Sequence, residues 1–279
     1  MEIREIKVSE CNPFRGNPFK IKEGPEMDML IQSIEDSGVL VPIVVRPQVA
    51  IGYEILSGHR RVEACKRLGI ETIPAIERQL DRDQAVIFMV DSNMHREGLL
   101  PSEKAFAYKM KVEALKHQGR TSVQLGQKSS RAVVAEAAGV SETQIQRYIR
   151  LTGLDPALLE LVDQGKIALT PAVELSYLTP VQQRDVVEFY QSDEVTPSYS
   201  QSVKMRKLSE EGILDSDRIF SVLSEIKGNQ VEYLKLPTDS IRSFFRPDTS
   251  PDKMREIIVK ALDYYSKMLE RQRRDRDAR

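Results

Sequence analysis

The stretch GYEILSGHRRVEACKRLG, residues 52–69, decides how this chain of 279 residues is read. Tyr53-Glu54-Ile55-Leu56 has the composition of a β-strand, and Val62 to Leu68 has helical periodicity. Between them stand Ser57, Gly58, His59, Arg60 and Arg61. A strand that turns through Ser-Gly into a helix leaves the first N–H groups of that helix without carbonyl partners, at the positive end of its dipole. Anions gather at such a turn, and two adjacent guanidiniums favour phosphate among them. Taken singly, His59 reads as a hydrogen-bonded structural residue, and either arginine could form a surface salt bridge.

Working outward, Leu30 to Ile34 reads as helix, Pro42 to Arg46 as strand and Thr72 to Ile76 as a third strand. Gly38 suits a helix C-cap, Gly52 a turn between strands, and Gly69 the end of the helix begun at His59. This is a compact α/β unit. Past residue 81 the strand signals stop and helices follow one another to about Gly165, with Asp81 and Pro101 opening two of them. Residues 178–194 stay helical, Val195 to Ser200 reads as a linker, and a third region runs on from there. The expected domains are 1–90, 91–195 and 196–279.

Composition narrows the functions. Forty-one Lys and Arg against 42 Asp and Glu leave no global basic charge, so any nucleic-acid site must be a local patch. Absence of Trp and an aromatic content of 6% disfavour single-strand binding through stacking platforms. Two distant cysteines, Cys11 and Cys65, argue for a reducing compartment and against a disulfide framework or zinc site. With no secretory pattern at Met1-Glu2-Ile3-Arg4 and no long apolar run, the expectation is a soluble cytoplasmic protein.

Residues 131–151, RAVVAEAAGVSETQIQRYIRL, carry the pattern of a helix-turn-helix. Val134, Ala135 and Ala138 share one face, Gly139 supplies the turn, and Ser141 caps a second helix whose Ile145, Tyr148 and Ile149 face back. Glu142, Thr143, Gln144, Gln146, Arg147 and Arg150 then face outward, suited to base edges and phosphates in a major groove. Lys128 and Arg131 add local positive charge for the DNA backbone. An ordinary helical hairpin shares the Ala and Gly pattern, but the polar outer face favours DNA.

A second constellation, DSNMHREGLLPSEKA at residues 91–105, sets Asn93, Arg96 and Glu97 at helical spacing. An amide, a guanidinium and a carboxylate on one side could meet a phosphate and its Mg²⁺, a cation that prefers oxygen ligands. Neither GxxxxGK[ST] nor GxGxxG is present. In the last region, TSPDKMREIIVKALDYYSKML at 249–269 places Met254, Ile257, Ile258, Ala261, Leu262, Tyr265, Met268 and Leu269 on one helical stripe. Pattern alone leaves open whether the stripe packs within its own domain or against a partner.

From Ile31 to Leu178 these segments, in this order and spacing, resemble the ParB family of chromosome and plasmid partition proteins. The resemblance implies an α+β protein: a small N-terminal α/β domain of ParB/sulfiredoxin type, a central all-helical domain with a helix-turn-helix, and a small, mainly helical C-terminal domain. It implies clamp-forming homodimers, joined through their C-terminal regions, that bind a palindromic, centromere-like site on double-stranded DNA. It implies CTP with Mg²⁺ in the N-terminal domain, held by Gly58, Arg60, Arg61, Asn93 and Arg96, with Asn93 toward the metal, and Ser57, His59 and Glu97 are expected beside them from their places in the turn and at helical spacing. A ParA-like ATPase would engage the extreme N-terminus. The family's Gly-Glu-Arg-Arg box appears here as Gly58-His59-Arg60-Arg61, and its Glu-Asn-x-x-Arg box as Ser92-Asn93-x-x-Arg96. With Ser92 where a hydrolytic carboxylate is usual, CTP binding is expected ahead of hydrolysis, which would be weak. A nucleoid-occlusion or transcription-regulating relative would use the same parts on other sites. Sulfiredoxin-like redox catalysis is disfavoured because Gly58 occupies the place of the sulfiredoxin cysteine, and a nuclease or kinase on the same fold is less favoured because neither would need a helix-turn-helix fused behind it.

Overall fold

The protein is described by a computed structural model covering residues 2–48, 52–119, 129–225, 241–246 and 248–277, with side chains described as far as Glu270. It divides into two compact units, Met1–Glu225 and Ile226–Arg279.

The first unit opens with a five-stranded mixed sheet in the order β1-β5-β3-β4-β2. Its strands are β1 (Ile3–Lys7), β2 (Cys11–Pro13), β3 (Ile43–Gln48), β4 (Gly52–Ser57) and β5 (Thr72–Glu77). β3 and β4 form an antiparallel pair, β1 is antiparallel to β5, and β2–β4 and β3–β5 are parallel. The three strands expected from sequence are present. β1 and β2 escaped notice because only Ile6 of β1 is buried and β2 is three residues long, ending in proline.

Alternation along the strands splits the core in two. Ile43, Val45 and Ile55 face α1 (Pro25–Ser37) and α2 (His59–Arg67), packing with Met27, Ile34, Val62 and Cys65. Val44 and Leu56 face the other way, toward Phe14, Val86 and Met89, where α3 (Arg82–Asn93) and α4 (Pro101–Gly119) cover the sheet. Burial raises the thiol pKa of Cys11 to about 11 and pushes that of Cys65 up as well. Both therefore stay protonated and serve as small apolar fillers rather than nucleophiles.

Helices make up the rest of this unit: α5 (Ser130–Ala138), α6 (Glu142–Arg150), α7 (Pro156–Asp163), α8 (Leu169–Leu175), α9 (Pro180–Asp193), α10 (Tyr199–Glu210) and α11 (Ser216–Leu223). One core runs through them from Leu151 to Leu223 and takes in Ala105 of α4. The stretch expected as a linker lies inside this unit: Pro197 is buried, Val195 packs on the shared core, and Ser198 caps α10. The expected boundaries at 90/91 and 195/196 both fall within the first unit. In the second unit the helix Pro251–Asp277 buries Met254 and leaves Ile257, Leu262 and Tyr265 exposed. Among the described residues no helix is long and apolar enough to cross a membrane.

Candidate functional site

The junction between β4 and α2 is built on Gly58. Its φ of 102° and ψ of 21° lie in the left-handed region, and a Cβ there would stand 2.6 Å from Cγ2 of the buried Ile43. Conformation and space both demand glycine, so the backbone can turn tightly over β3 and free the first N–H groups of α2.

Over this turn lies an open cleft of about 660 Å³. Ser57, Gly58, His59, Arg60 and Arg61 line it from the turn, and Asn93 and Arg96 from the end of α3. Thus seven of the eight expected nucleotide residues meet in one place. Glu97 does not. α3 ends at Asn93, the Met94 N–H closes its last turn on the Val90 carbonyl, and Gly98 follows at φ 66°. The helical spacing expected for residues 93–97 therefore breaks, and Glu97 lines a neighbouring groove with Lys22 and Gly24.

The cleft is basic. Lys20, Arg60, Arg61 and Arg96 line it against a single carboxylate, Glu26. Arg60 lies 3.4 Å from Glu26, while its Nε is buried without an acceptor. Such an orphan donor is what an anionic oxygen would satisfy. Arg61 is committed locally, donating to the carbonyls of Pro42 (2.8 Å) and Val41, and burial lowers its pKa. Burial also pulls the His59 pKa down to about 4, with nearby Arg96 acting in the same direction and Glu54 opposing. The imidazole is consequently neutral at pH 7, and its Nε2 lies 3.5 Å from the Phe14 N–H, as an acceptor. Behind it, the buried Glu54 binds Arg46 (2.6 Å) and Arg82 (3.2 Å) and accepts the Arg15 N–H (2.9 Å), fixing the Phe14-Arg15 turn.

Asn93 Nδ2 donates to the Met89 carbonyl (2.8 Å), which leaves Oδ1 as the acceptor end of this amide. Ser92 Oγ donates to the same carbonyl (2.9 Å), and Asp91 is paired with the buried Lys111 of α4. No carboxylate stands beside Asn93 in the chain that is free to turn into the cleft. Among the described residues no cluster of three or more His, Cys, Asp or Glu could hold a metal by itself.

Sequence reasoning missed the wall opposite the turn, which includes Asn17, Phe19, Lys20 and Ile21. Glu103, 1% exposed, holds this wall: its Oε1 accepts the Lys20 N–H and its Oε2 the Leu100 N–H, each at 2.8 Å. Glu103 lies 83 positions from Lys20, beyond any local pattern.

The helix pair α5–α6 has the expected core. Val134, Ala135 and Ile145 are buried, Gly139 turns at φ 66°, and Ser141 Oγ accepts the Gln144 N–H (3.1 Å). Ser141, Glu142, Thr143, Gln146 and Arg131 are exposed, while Gln144 and Arg147 are half-buried. Arg131 donates to Gln146 (3.3 Å) and Arg147 to Thr170 (2.6 Å). Arg150, though exposed, donates to Ser176 (3.1 Å) and stacks on Tyr177 at 3.9 Å. Lys128 lies outside the described residues.

Comparison with known proteins identifies relatives. Residues 1–94 match the ParB N-terminal domain family. The chain is 28% identical over 184 residues to a probable chromosome-partitioning protein ParB of Coxiella burnetii, covering 66% of this chain and 59% of that protein. It is 31% identical over 167 residues to stage 0 sporulation protein J of Bacillus subtilis, covering 60% and 55%. The matched region thus spans under two thirds of either relative. Two solved structures of C-terminally truncated Caulobacter crescentus ParB also match. The one complexed to the centromeric parS site gives a TM-score of 0.43 at 21% identity, over 79% of this chain and 98% of that one. The one complexed with CTP-gamma-S gives 0.32 at 24% identity, over 63% and 92%.

Proposed function

We propose that this chain, whose residues 1–94 match the ParB N-terminal domain family, is a partition protein that binds duplex DNA through α5–α6 and is switched by CTP with Mg²⁺ in the α/β cleft. The observation that carries this reading is the convergence of Ser57 to Arg61 with Asn93 and Arg96 in one basic cleft, within the same compact unit as the helix pair.

The chain's own groups divide the work. The Gly58 turn presents backbone N–H groups, and Arg60 and Arg96 supply charge-assisted donors for phosphate oxygens. Neutral His59 adds no charge and holds the Phe14 backbone in place. The residues present fit Mg²⁺ held chiefly by nucleotide phosphates, with Asn93 Oδ1 the protein oxygen nearest to that task. When bound, the metal would offset phosphate charge. Because Ser92 and Asp91 are both engaged elsewhere, binding is favoured over hydrolysis. Cytosine as the base rests on the family resemblance.

The reading takes residues 1–90, completed by Asn93 and Arg96, as the nucleotide-binding part of the first unit and 91–195 as its DNA-binding part, and within 196–279 it assigns homodimerisation to the second unit. Glu142, Thr143 and Gln146 of α6 would read base edges, with Ser141, Gln144, Arg131, Arg147 and Arg150 around them. A dimer would meet a palindromic, centromere-like site on cytoplasmic chromosome or plasmid DNA. A ParA-like ATPase would dock near β1, at the edge of the sheet.

Titration calorimetry with CTP, ATP, GTP and UTP in Mg²⁺ tests the switch. CTP should bind selectively, and Arg96→Ala should weaken it at least tenfold, because Arg96 lines the cleft with no ion pair to lose among the described residues. If no nucleotide binds, the switch is wrong, and duplex binding must stand alone.

A further inference from the structure

A second cleft, of about 600 Å³, runs between α4 and the helix pair α5–α6. Lys109 and Lys116 line it from α4, Arg131 from α5 and Arg150 from α6, against one carboxylate, Glu113. Glu113 stands four residues after Lys109 and three before Lys116, the spacings at which helical neighbours pair. Neither ammonium nevertheless forms an ion pair or hydrogen bond among the described residues. By contrast Lys111, on the same helix, is buried and paired with Asp91. Gln146, on the outer face of α6, lines the same cleft and receives Arg131. The unneutralised charge is therefore continuous with the surface assigned to base reading.

We propose that this groove is a track for the phosphate backbone of duplex DNA, and that Lys109 and Lys116 of α4, outside the helix-turn-helix, each contact a phosphate. Two unpaired ammoniums beside two guanidiniums are complementary to a line of phosphates, and a long flexible stem lets lysine meet phosphate as a point charge. Such contacts position the protein without selecting sequence. The inference rests on the DNA-binding reading above and extends it to a further helix.

The test is the salt dependence of binding of the full chain to a fluorescein-labelled 30-bp duplex of random sequence. Lys109→Gln and Lys116→Gln keep much of each stem and remove the charge. Each should lower the slope of log K against log salt by about 0.9, and the double variant by about 1.8, the release expected per phosphate contact on B-DNA. Lys7→Gln/Lys66→Gln, two exposed lysines at the sheet end of the protein, should leave the slope unchanged. Circular dichroism and thermal melting of each variant establish that it is folded. A wild-type slope in the folded double variant overturns the groove, as does an equal loss in the control pair. Failure of the wild-type chain to bind any duplex overturns the DNA-binding reading itself, and the groove with it.

Discussion

Gly58 is held by two constraints, a left-handed φ of 102° and the wall of Ile43 at 2.6 Å from any added Cβ. Gly58→Ala should therefore cost about 2–4 kcal/mol of stability from backbone strain and overpacking together, measured by urea unfolding. Gly69→Ala, at φ 69° with open space around it, should cost only about 1 kcal/mol. His59 makes a pH prediction. Its folded pKa of about 4 lies below the ordinary value of 6.5, so the unfolded chain takes up this proton first. The stability due to neutral His59 is then full above pH 6.5 and is lost as pH falls from 6.5 toward 4. Unfolding free energy across that window should drop by up to a few kcal/mol, and His59→Gln should flatten the drop. The sequence marks Gly58, Arg60 and Arg61 because the strand, turn and helix signals around them are all local. It leaves unmarked that Arg61 is tied to the carbonyls of residues 41 and 42 while Arg60 and Arg96 keep donors available, since that division depends on how a distant loop folds back.

At the scale of elements, α4 joins regions that separate helices would otherwise keep apart. Ala107 and Ala114 face the sheet core, Tyr108 and Val112 the core of the helix pair, and Ala105 the large helical core. A helix buried on so many sides carries no single apolar stripe, so sequence periodicity finds its start at Pro101 but not its role. Its first turn depends on Glu103. Glu103→Ala would leave the Lys20 and Leu100 N–H groups without their acceptor, at a cost of about 2–4 kcal/mol by thermal or urea unfolding. α6, whose polar outer face and Ser141 cap are local features, was legible directly. Ser141→Ala should cost about 1 kcal/mol and weaken duplex binding through the fraying of the first turn of α6.

At the scale of the molecule, the two compact units make separate predictions. A chain ending at Glu225 contains every described core of the first unit and should fold, bind nucleotide and sediment as a monomer. The full chain should sediment as a dimer, and Leu262→Asp/Tyr265→Asp on the exposed stripe of the last helix should return it to monomer. A dimeric 1–225 fragment would place the interface elsewhere. The sequence showed three strands and the helix pair because each repeats on a short period. It showed neither the unit boundary at 225 nor the shared core from Leu151 to Leu223, which depend on contacts between helices far apart in the chain.

α4 also has a mechanical consequence. Nineteen residues of continuous helix form a stiff rod of about 28 Å. One end is pinned by Glu103 to the loop walling the cleft proposed for nucleotide, and Lys116 rides near the other. A tilt of about 5° at the pinned end sweeps the far end through roughly 2 Å, as the rod's length dictates. If nucleotide in the proposed cleft displaced that loop and the helix followed as one body, a stroke of this size would separate an ammonium seated on a phosphate from one that has let go.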